Sequence, residues 1–305
     1  MTPLPTVSPK IPLQAYFVIA MGIIAVSFGS IFIKLAQAEG IPSLLIAAAR
    51  MTIASLALTP VIVRSHQIEM RSLSRRQLTL AAASGLFLAI HFASWIKSFE
   101  YTIVLVSVVL VNTNPLWSAA LEVIFLRTRL TRVILFSLII GVIGSIIVAL
   151  PAQQITTFGN NPLLGSLLAL IGAVAVAIYF VIGRKMRTSL SLVPYIWLVY
   201  GCAAIFLIIV VILTGTPVTG YSLKGYLWLV AMALVPQLIG HSSFNFALKY
   251  FPASYVGIAG QLEPVLSAIL AFLLFTEIPA SVQLIGSIII LSGVILASLS
   301  QSRSD

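Results

Sequence analysis

The chain has 305 residues, of which 60% are hydrophobic and only 8% charged, and its mean hydropathy is +1.14. Soluble globular proteins carry about 25% charged residues, so this composition excludes a soluble domain and predicts an integral membrane protein. The net charge of +10 comes from basic residues in short loops, which indicates membrane topology rather than nucleic-acid binding. A single Cys202 and a single aspartate, Asp305, exclude a disulfide framework and the aspartate-based magnesium and calcium motifs.

The charge-free stretches predict ten membrane-spanning helices, because a bilayer core about 30 Å thick requires about 20 apolar residues per helix. In chain order the predicted spans are 13–36, 42–63, 77–98, 101–124, 131–150, 163–183, 191–213, 225–248, 252–275 and 280–300. Turn-forming clusters separate some of them, as at 151–162 and 214–220. We expect the first helix to be retained, because its charge-free run, residues 11–33, is longer than the core of a signal peptide, about 7–15 residues.

The loops that carry most of the basic residues fall on one predicted side of the membrane. Thirteen of the 17 Lys and Arg residues lie there if the N-terminus is inside, and the longest loop on the other side, 151–162, has no charge. The positive-inside rule therefore predicts that both termini are cytoplasmic.

An internal repeat appears when the sequence is shifted by 149 residues, which lays the fourth and fifth predicted helices on the ninth and tenth. The coinciding residues include Pro115 with Pro264, Asn114 with Glu263, and Asn112 with Gln261. Five helices per unit is an odd number, so the second unit enters the membrane in the opposite sense. This pattern is typical of the inverted repeats of secondary transporters, whose substrate site lies near the midplane. A duplication retained for packing alone is the alternative.

The predicted organisation is therefore an all-α integral membrane protein with two inverted-topology repeats of five helices. Its parts in chain order are an N-terminal tail 1–12, a first repeat 13–150, an outer linker 151–162, a second repeat 163–300 and a C-terminal tail 301–305. A unit of ten helices can enclose its own pathway, so a monomer and a dimer are both compatible with this arrangement.

Several repeated motifs carry a family resemblance. They are Tyr101-Thr102, Asn114-Pro115-Leu116 and the run Phe125 to Thr131 in the first half, echoed by Ala247 to Tyr250, Glu263-Pro264 and Leu274 to Glu277 in the second. This two-copy pattern resembles the EamA family of the drug/metabolite transporter superfamily. The resemblance implies ten helices in two inverted halves, a central cavity, and a carrier of the bacterial inner membrane that exports amino acids, other metabolites or drugs.

The sequence also departs from that family at the ends of its repeats. EamA repeats usually end in Gly-Glu-Arg-Leu, whereas the first repeat here has Thr128 and the second has Thr276-Glu277-Ile278-Pro279. A gating salt bridge that uses the first glutamate is therefore not implied for this chain.

Two ionisable residues lie at membrane depth, where charged groups are costly and mark candidate functional sites. By helical rise, Glu263 lies roughly 16 Å into the ninth predicted helix and Arg50 about 12 Å into the second. Glu263 is either a protonation or substrate-amine site or a structural glutamate. Arg50 requires an acceptor, which could be Glu263, the carboxyl end of a helix or a substrate carboxylate.

Polar and aromatic residues on other predicted helices complete the candidate substrate site. His91 and Trp95 share one helical face, as do His241 and Asn245, although a buried structural role is the alternative for each histidine. The full predicted substrate-binding set is His91, Trp95, Asn114, Glu263, Arg50, Asn112, Gln261, His241, Asn245, Tyr179 and Tyr200, with Pro115 and Pro264 as hinges. No third ligand has suitable spacing for a metal, and neither metal nor cofactor is expected.

These features favour a secondary transporter, exporter or facilitator, of small amphipathic metabolites such as amino acids, which works by alternating access around a central cavity. Its expected partners are a small-molecule substrate and the lipid bilayer, with protons as a candidate coupled ion. The sequence has no HExxH, paired-acid or phosphate-loop motif, so no enzyme is predicted. The alternative function is that of a channel-like or scaffolding membrane protein without saturable transport.

Overall fold

The computed structural model describes residues 11–102, 104–149, 161–275 and 281–302, and all regular elements within these ranges are helical. The helices are α1 Leu13–Ser27, α2 Gly29–Ala38, α3 Ser43–Ser65, α4 Gln67–Arg71, α5 Arg75–Ser98, α6 Val104–Val111, α7 Asn114–Leu126, α8 Arg132–Ala149, α9 Pro162–Arg187, α10 Leu192–Leu213, α11 Leu223–Met232, α12 Ser242–Ala247, α13 Ala253–Gly260, α14 Glu263–Phe275 and α15 Ser281–Ser302. A π-helical segment, Ala233–His241, joins α11 to α12. The predicted tails and the outer linker fall mostly outside the described residues.

The long apolar runs form helices that are suited to a bilayer. In the described ranges seven are long and apolar enough to cross a membrane: Leu13–Ala38, Ser43–Ser65, Arg75–Ser98, Ser107–Leu126, Pro162–Arg187, Leu192–Leu213 and Leu223–Ala247. Arg132–Gly144 and Leu284–Ala297 are shorter apolar helices. Large apolar side chains cover the outer faces, among them Ile212 at 71% and Phe17 at 66% exposure. Such a surface is covered by lipid in a multi-pass membrane protein.

Two predicted spans, 101–124 and 252–275, are interrupted rather than continuous. In the first, α6 ends at Val111 and α7 begins at Asn114. In the second, α13 ends at Gly260 and α14 begins at Glu263. Pro115 and Pro264 follow these breaks directly, in the first turn of the new helix. Proline has no N–H to donate and is tolerated in the first turn of a helix but not in its interior, so each span restarts as a new helix with the proline in its first turn.

Two further predicted spans, 13–36 and 225–248, also depart from a regular α-helix. The first divides into α1 and α2 at Phe28, next to Ser27, whose hydroxyl donates to the carbonyl of Ile23 at 2.7 Å. Hydroxyls that bond back in this way often bend helices. The second contains the π-helical segment around Pro236, which cannot donate the hydrogen bond of an α-helix. Short π-helical stretches occur frequently at functional sites.

Five pairs of helices begin 149 residues apart, which is the offset of the sequence repeat. The hydrogen-bonded residues Asn112 and Gln261 are separated by the same 149 positions. The starts paired in this way are those of α1 with α9, α3 with α10, α6 with α13, α7 with α14, and α8 with α15. The structure thus repeats the element boundaries that the sequence shift relates.

The packing of α8 against α15 relates the two halves reciprocally. A Cβ atom added at Gly144 would lie 2.8 Å from the backbone nitrogen of Ile290, and one added at Gly293 would lie 3.3 Å from that of Gly141. Ile290 and Gly293 are the repeat partners of Gly141 and Gly144, so each contact is the image of the other. Reciprocal contacts of this kind are typical of a two-fold relation, and glycine permits the close approach.

Candidate functional site

A cavity of about 50 Å³ lies where the interrupted helices, the π-helical segment and the centres of α3, α5 and α9 meet. It has room for a few water molecules. Its lining residues are Val26, Gly29, Arg50, His91, Trp95, Val111, Asn112, Asn114, Val176, Phe180, Pro236, His241, Phe244, Val256, Gly257, Gly260 and Glu263. Seven of the eleven predicted substrate-binding residues are among them: Arg50, His91, Trp95, Asn112, Asn114, His241 and Glu263.

Arg50 enters the cavity from α3 and is 1% exposed. Its Nε and Nη2 donate hydrogen bonds to Oε1 of Gln237, at 3.1 and 2.8 Å, and its Cζ lies 3.7 Å from the ring centroid of Phe92. Its Nη1 has no hydrogen-bond partner, and no carboxylate among the described residues lies within 4 Å of the guanidinium. The side chain is oriented but not neutralised, so its positive charge is available to an anionic group.

The two helix breaks place side-chain amides beside backbone carbonyls. Nε2 of Gln261 donates to the carbonyl of Asn112 at 3.3 Å, so two repeat partners touch directly. Nδ2 of Asn114 donates to the carbonyl of Val111 at 3.2 Å, while its Oδ1 has no hydrogen-bond partner. Gln261 is fully buried but does not line the cavity.

Glu263 is the acidic member of the cavity lining and begins α14. The amino end of a helix carries a partial positive charge that stabilises a carboxylate. Within the described part of the chain, no ion pair or hydrogen bond to its carboxylate is present. Glu263 and Arg50 therefore face one cavity without neutralising each other at contact distance.

His91, Trp95 and His241 form an aromatic wall. The rings of His91 and Trp95 stack with centroids 5.7 Å apart, and those of His91 and His241 lie 6.2 Å apart. Nδ1 of His91 lies 2.9 Å from the carbonyl of Gly172, which requires the proton on that nitrogen. Nε1 of Trp95 and Nδ1 of His241 lack partners. In the described ranges no group of three potential metal ligands occurs.

Three predicted substrate residues lie behind this wall instead of lining the cavity. Nδ2 of Asn245 donates to the hydroxyls of Tyr179 and Tyr200 and, at 2.8 Å, to the carbonyl of His241. The hydroxyl of Tyr200 also lies 3.1 Å from that of Ser242. All three predicted residues are fully buried, and their mutual hydrogen bonds tie α9, α10 and α12 together. The sequence predicted only that Asn245 shares a helical face with His241, and it did not indicate which groups these three residues would hydrogen-bond.

Sequence reasoning did not single out Gln237, the partner of Arg50. The sequence feature that could have identified Gln237 is its position as a polar residue directly after Pro236, in the middle of a predicted span. It also missed Glu122, which is 1% exposed on α7.

The Glu122 carboxylate holds three elements together. It accepts hydrogen bonds from the backbone N–H of Ala253 at 2.7 Å, from the N–H of Ser254 at 3.1 Å and from the Ser254 hydroxyl at 2.7 Å. Arg184 of α9 donates to it as an ion-pair partner. Glu122 therefore stabilises the amino end of α13 and connects the first half of the chain to the second.

A second carboxylate acts in the same way at that end of the bundle. Glu69 of the short helix α4 accepts hydrogen bonds from the N–H of Ser191, at 2.7 Å, and from the Ser191 hydroxyl. Partial burial alone would raise the pKa of Glu69, but the hydrogen bonds from Ser191 and the neighbouring His66 outweigh it and lower the pKa. We call this end, where residues 64–76, 122–132, 184–191 and 249–254 meet, the basic end.

Comparisons with known proteins agree with this architecture. The profile of the EamA-like transporter family matches residues 13–150 and 163–299, one match in each half. An uncharacterized transporter of Clostridium kluyveri is 26% identical over 262 residues, covering 83% of this chain and 82% of the relative. The uncharacterized transporter YyaM of Bacillus subtilis is 26% identical over 241 residues, covering 77% and 76%. The uncharacterized transporter YxxF of the same organism is 24% identical over 280 residues, covering 92% and 88%.

A protein of known crystal structure shares the fold. Its TM-score with this chain is 0.75 at 17% sequence identity, and the match covers 96% of this chain and 99% of the other. A likeness at this level of identity describes the fold alone.

Proposed function

The chain belongs to the EamA-like transporter family, and we propose that it is a secondary transporter of small amphipathic metabolites, amino acids among them, in the bacterial inner membrane. The observation that carries this proposal is Arg50. It is buried in a cavity between the two halves, with Nη1 unpartnered and no carboxylate at contact distance among the described residues. An uncompensated buried charge is costly, so a substrate carboxylate that pairs with it would stabilise the bound state.

The remaining unpartnered groups favour a zwitterion. The unpartnered donors are Nη1 of Arg50 and Nε1 of Trp95, which suit a carboxylate. Acceptors are Oδ1 of Asn114 and the carboxylate of Glu263, which suit an ammonium group. Aromatic and aliphatic lining residues such as Phe180 suit an apolar side chain. An amino acid with an apolar side chain carries these three features together, and its binding would require the cavity to widen beyond its volume of about 50 Å³ in this conformation.

The proposed architecture is ten spans in two inverted five-helix repeats with both termini in the cytoplasm. The constant offset of 149 residues between helix starts and the reciprocal packing of α8 and α15 support it. Interrupted helices at the cavity also support it, since secondary transporters commonly build their sites from such breaks. The positive-inside rule would place the basic end in the cytoplasm.

Alternating access is proposed because a separate set of polar contacts joins the two halves at each end of the bundle. At the end opposite the basic end, Glu39 accepts a hydrogen bond from the Ser222 hydroxyl at 2.6 Å and lies 3.6 Å from Nζ of Lys224. At the basic end Glu122 joins the halves through Ser254 and Arg184. The positions 149 residues from Glu122 and Arg184 are Ala271 and Leu35, so this particular ion pair is not repeated and the two ends are held by independent contacts. One end could therefore open while the other stays closed, and the contacts of Glu122 would have to break when the basic end opens.

Counterflow in proteoliposomes tests the proposed function. Vesicles that contain the purified protein are loaded with one of a panel of unlabelled amino acids, and uptake of labelled leucine, methionine or phenylalanine is followed with and without a pH gradient. We expect saturable exchange for apolar amino acids, with loss of exchange in Arg50→Gln. The matched control is Lys34→Gln, which alters an exposed basic residue and should leave exchange unchanged. Absence of saturable exchange by folded protein for the whole panel would instead favour a channel-like or scaffolding role.

A further inference from the structure

The partner that orients Arg50 is a neutral amide. Oε1 of Gln237 accepts from both Nε and Nη2 of Arg50, at 3.1 and 2.8 Å, and Gln237 is fully buried. A guanidinium group only donates hydrogen bonds, so the oxygen of the amide must face it. Gln237 belongs to the π-helical segment of the second half, whereas Arg50 belongs to α3 of the first. The pair therefore crosses between the halves beside the cavity.

The repeat provides an internal comparison for this pair. The positions 149 residues from Arg50 and Gln237 are Val199 and Leu88, and both are fully buried. The corresponding sites in the other half are thus filled by aliphatic side chains, so the fold itself does not require a polar pair there. A buried polar pair that packing does not require is costly to retain, which indicates a role for it in recognition.

We infer that Gln237 is a positioning residue that sets the cavity's preference for a carboxylate, by holding the Arg50 guanidinium without neutralising it. This inference rests on the function proposed above and names the determinant of its selectivity. An acidic side chain in the same place would form a bidentate ion pair with Arg50 and compensate its charge. An amide makes the same two hydrogen bonds and leaves the full charge for the substrate.

The residues around Arg50 and Gln237 also orient the guanidinium without neutralising it. Phe92 stacks on the guanidinium, 3.7 Å from Cζ to the ring centroid, and a cation–π contact orients a charge without neutralising it. The ring of Phe92 also meets that of His241, with centroids 5.1 Å apart. Nη1, the nitrogen that neither Gln237 nor another described residue binds, is the part of Arg50 left for a ligand.

The test uses Gln237→Glu and Gln237→Met in the full-length protein, reconstituted in proteoliposomes. The KM of counterflow is measured for L-leucine, L-methionine and L-phenylalanine and for the amide of each, which keeps the ammonium group but lacks the carboxylate. The thermal midpoint of each purified variant is measured in parallel. Gln237→Glu changes the charge at nearly constant shape, whereas Gln237→Met keeps the approximate volume and removes the acceptor.

We expect Gln237→Glu to raise the KM of the acids by about tenfold or more, the consequence of losing a charge-assisted hydrogen bond to the substrate. The amides should keep their KM within about twofold, and the thermal midpoint should stay unchanged or rise. If Gln237 had only a structural role, its replacement would not weaken the binding of the acids in a protein whose thermal midpoint is unchanged. Gln237→Met should also raise the KM of the acids relative to the amides, because Arg50 loses its orientation.

The outcomes separate this inference from the proposed function. Saturable acid transport by the wild type with an unchanged ratio of acid to amide KM in both variants would overturn the role of Gln237 alone. A wild-type protein that transports none of the three acids saturably would contradict the proposed function and, with it, the inference.

Discussion

Glu122→Gln should destabilise the protein strongly, although glutamine has nearly the same shape as glutamate. The glutamine keeps one acceptor oxygen but loses the charge. Its NH₂ group turns donors either toward the N–H and hydroxyl of Ser254, which bond Oε2, or toward the N–H of Ala253 and Arg184, which bond Oε1. The wild-type carboxylate is 1% exposed and accepts hydrogen bonds from the N–H of Ala253 and from Ser254 at 2.7–3.1 Å. Net hydrogen bonds to charged groups contribute about 1.5–3 kcal/mol each, and breaking a buried ion pair costs about 3–5 kcal/mol.

The expected loss in the free energy of unfolding is about 2–4 kcal/mol, because one oxygen remains and Arg184 is partly exposed. Unfolding in mixed detergent micelles, followed by circular dichroism, measures it. The matched control is Lys97→Gln, which removes an ion pair with Glu100, 2.5 Å long, between side chains that are 44% and 37% exposed. Exposed pairs contribute about 0–1 kcal/mol, so the control should remain near the wild type.

A double-mutant cycle identifies the source of the loss. Arg184→Gln alone should cost less than Glu122→Gln, and the two together should cost less than their sum, because both remove the same ion pair. A Glu122→Gln protein within about 0.5 kcal/mol of the wild type, or strictly additive single changes, would refute the role assigned to this carboxylate.

Three other predictions concern coupling, packing and pH. Glu263→Gln should flatten any pH dependence of counterflow, and an unchanged pH profile would exclude Glu263 as the coupling group. Gly144→Ala should lower the free energy of unfolding by about 1–3 kcal/mol, since its Cβ would lie 2.8 Å from the backbone of Ile290, whereas Gly201→Ala, whose nearest contact is a hydroxyl at 3.2 Å, should have little effect. The pKa of Glu69 is lowered in the folded protein, so its stabilisation is present above its ordinary pKa of 4.5 and is lost as pH falls through the folded pKa. The stability difference between wild type and Glu69→Gln should therefore be constant at neutral pH and shrink in acid; a difference that grows in acid would contradict this assignment.

The sequence was sufficient for the membrane class and for the repeat, because both depend on one-dimensional patterns. Apolar run length predicts spanning helices, and a shift of 149 residues is visible before any contact is known. The same shift identified the polar residues around Pro115 and Pro264, and the structure places Asn112, Asn114 and Glu263 in one cavity. The helix breaks themselves were not predicted, although each follows from the proline beside it.

Partnerships across the bundle could not be predicted from the sequence. Arg50 was expected to find a carboxylate, a helix end or a substrate, but its protein partner is Gln237. The direction in which Gln237 points depends on a π-helical segment, whose geometry departs from the α-helical period. Asn245 likewise shares a face with His241, yet it hydrogen-bonds to Tyr200 from another helix. Side-chain periodicity gives a face, whereas tertiary packing decides which polar groups on that face satisfy one another.

Equilibrium binding to purified wild type and Arg50→Gln shows whether the cavity binds a substrate through its uncompensated arginine. Titration calorimetry with L-leucine, L-methionine and L-phenylalanine in detergent is the measurement. We expect saturable binding of at least one of these amino acids by the wild type and loss of that binding in Arg50→Gln protein that remains folded. Equal binding by both proteins, or no binding of any of the three by folded wild type, would contradict this expectation.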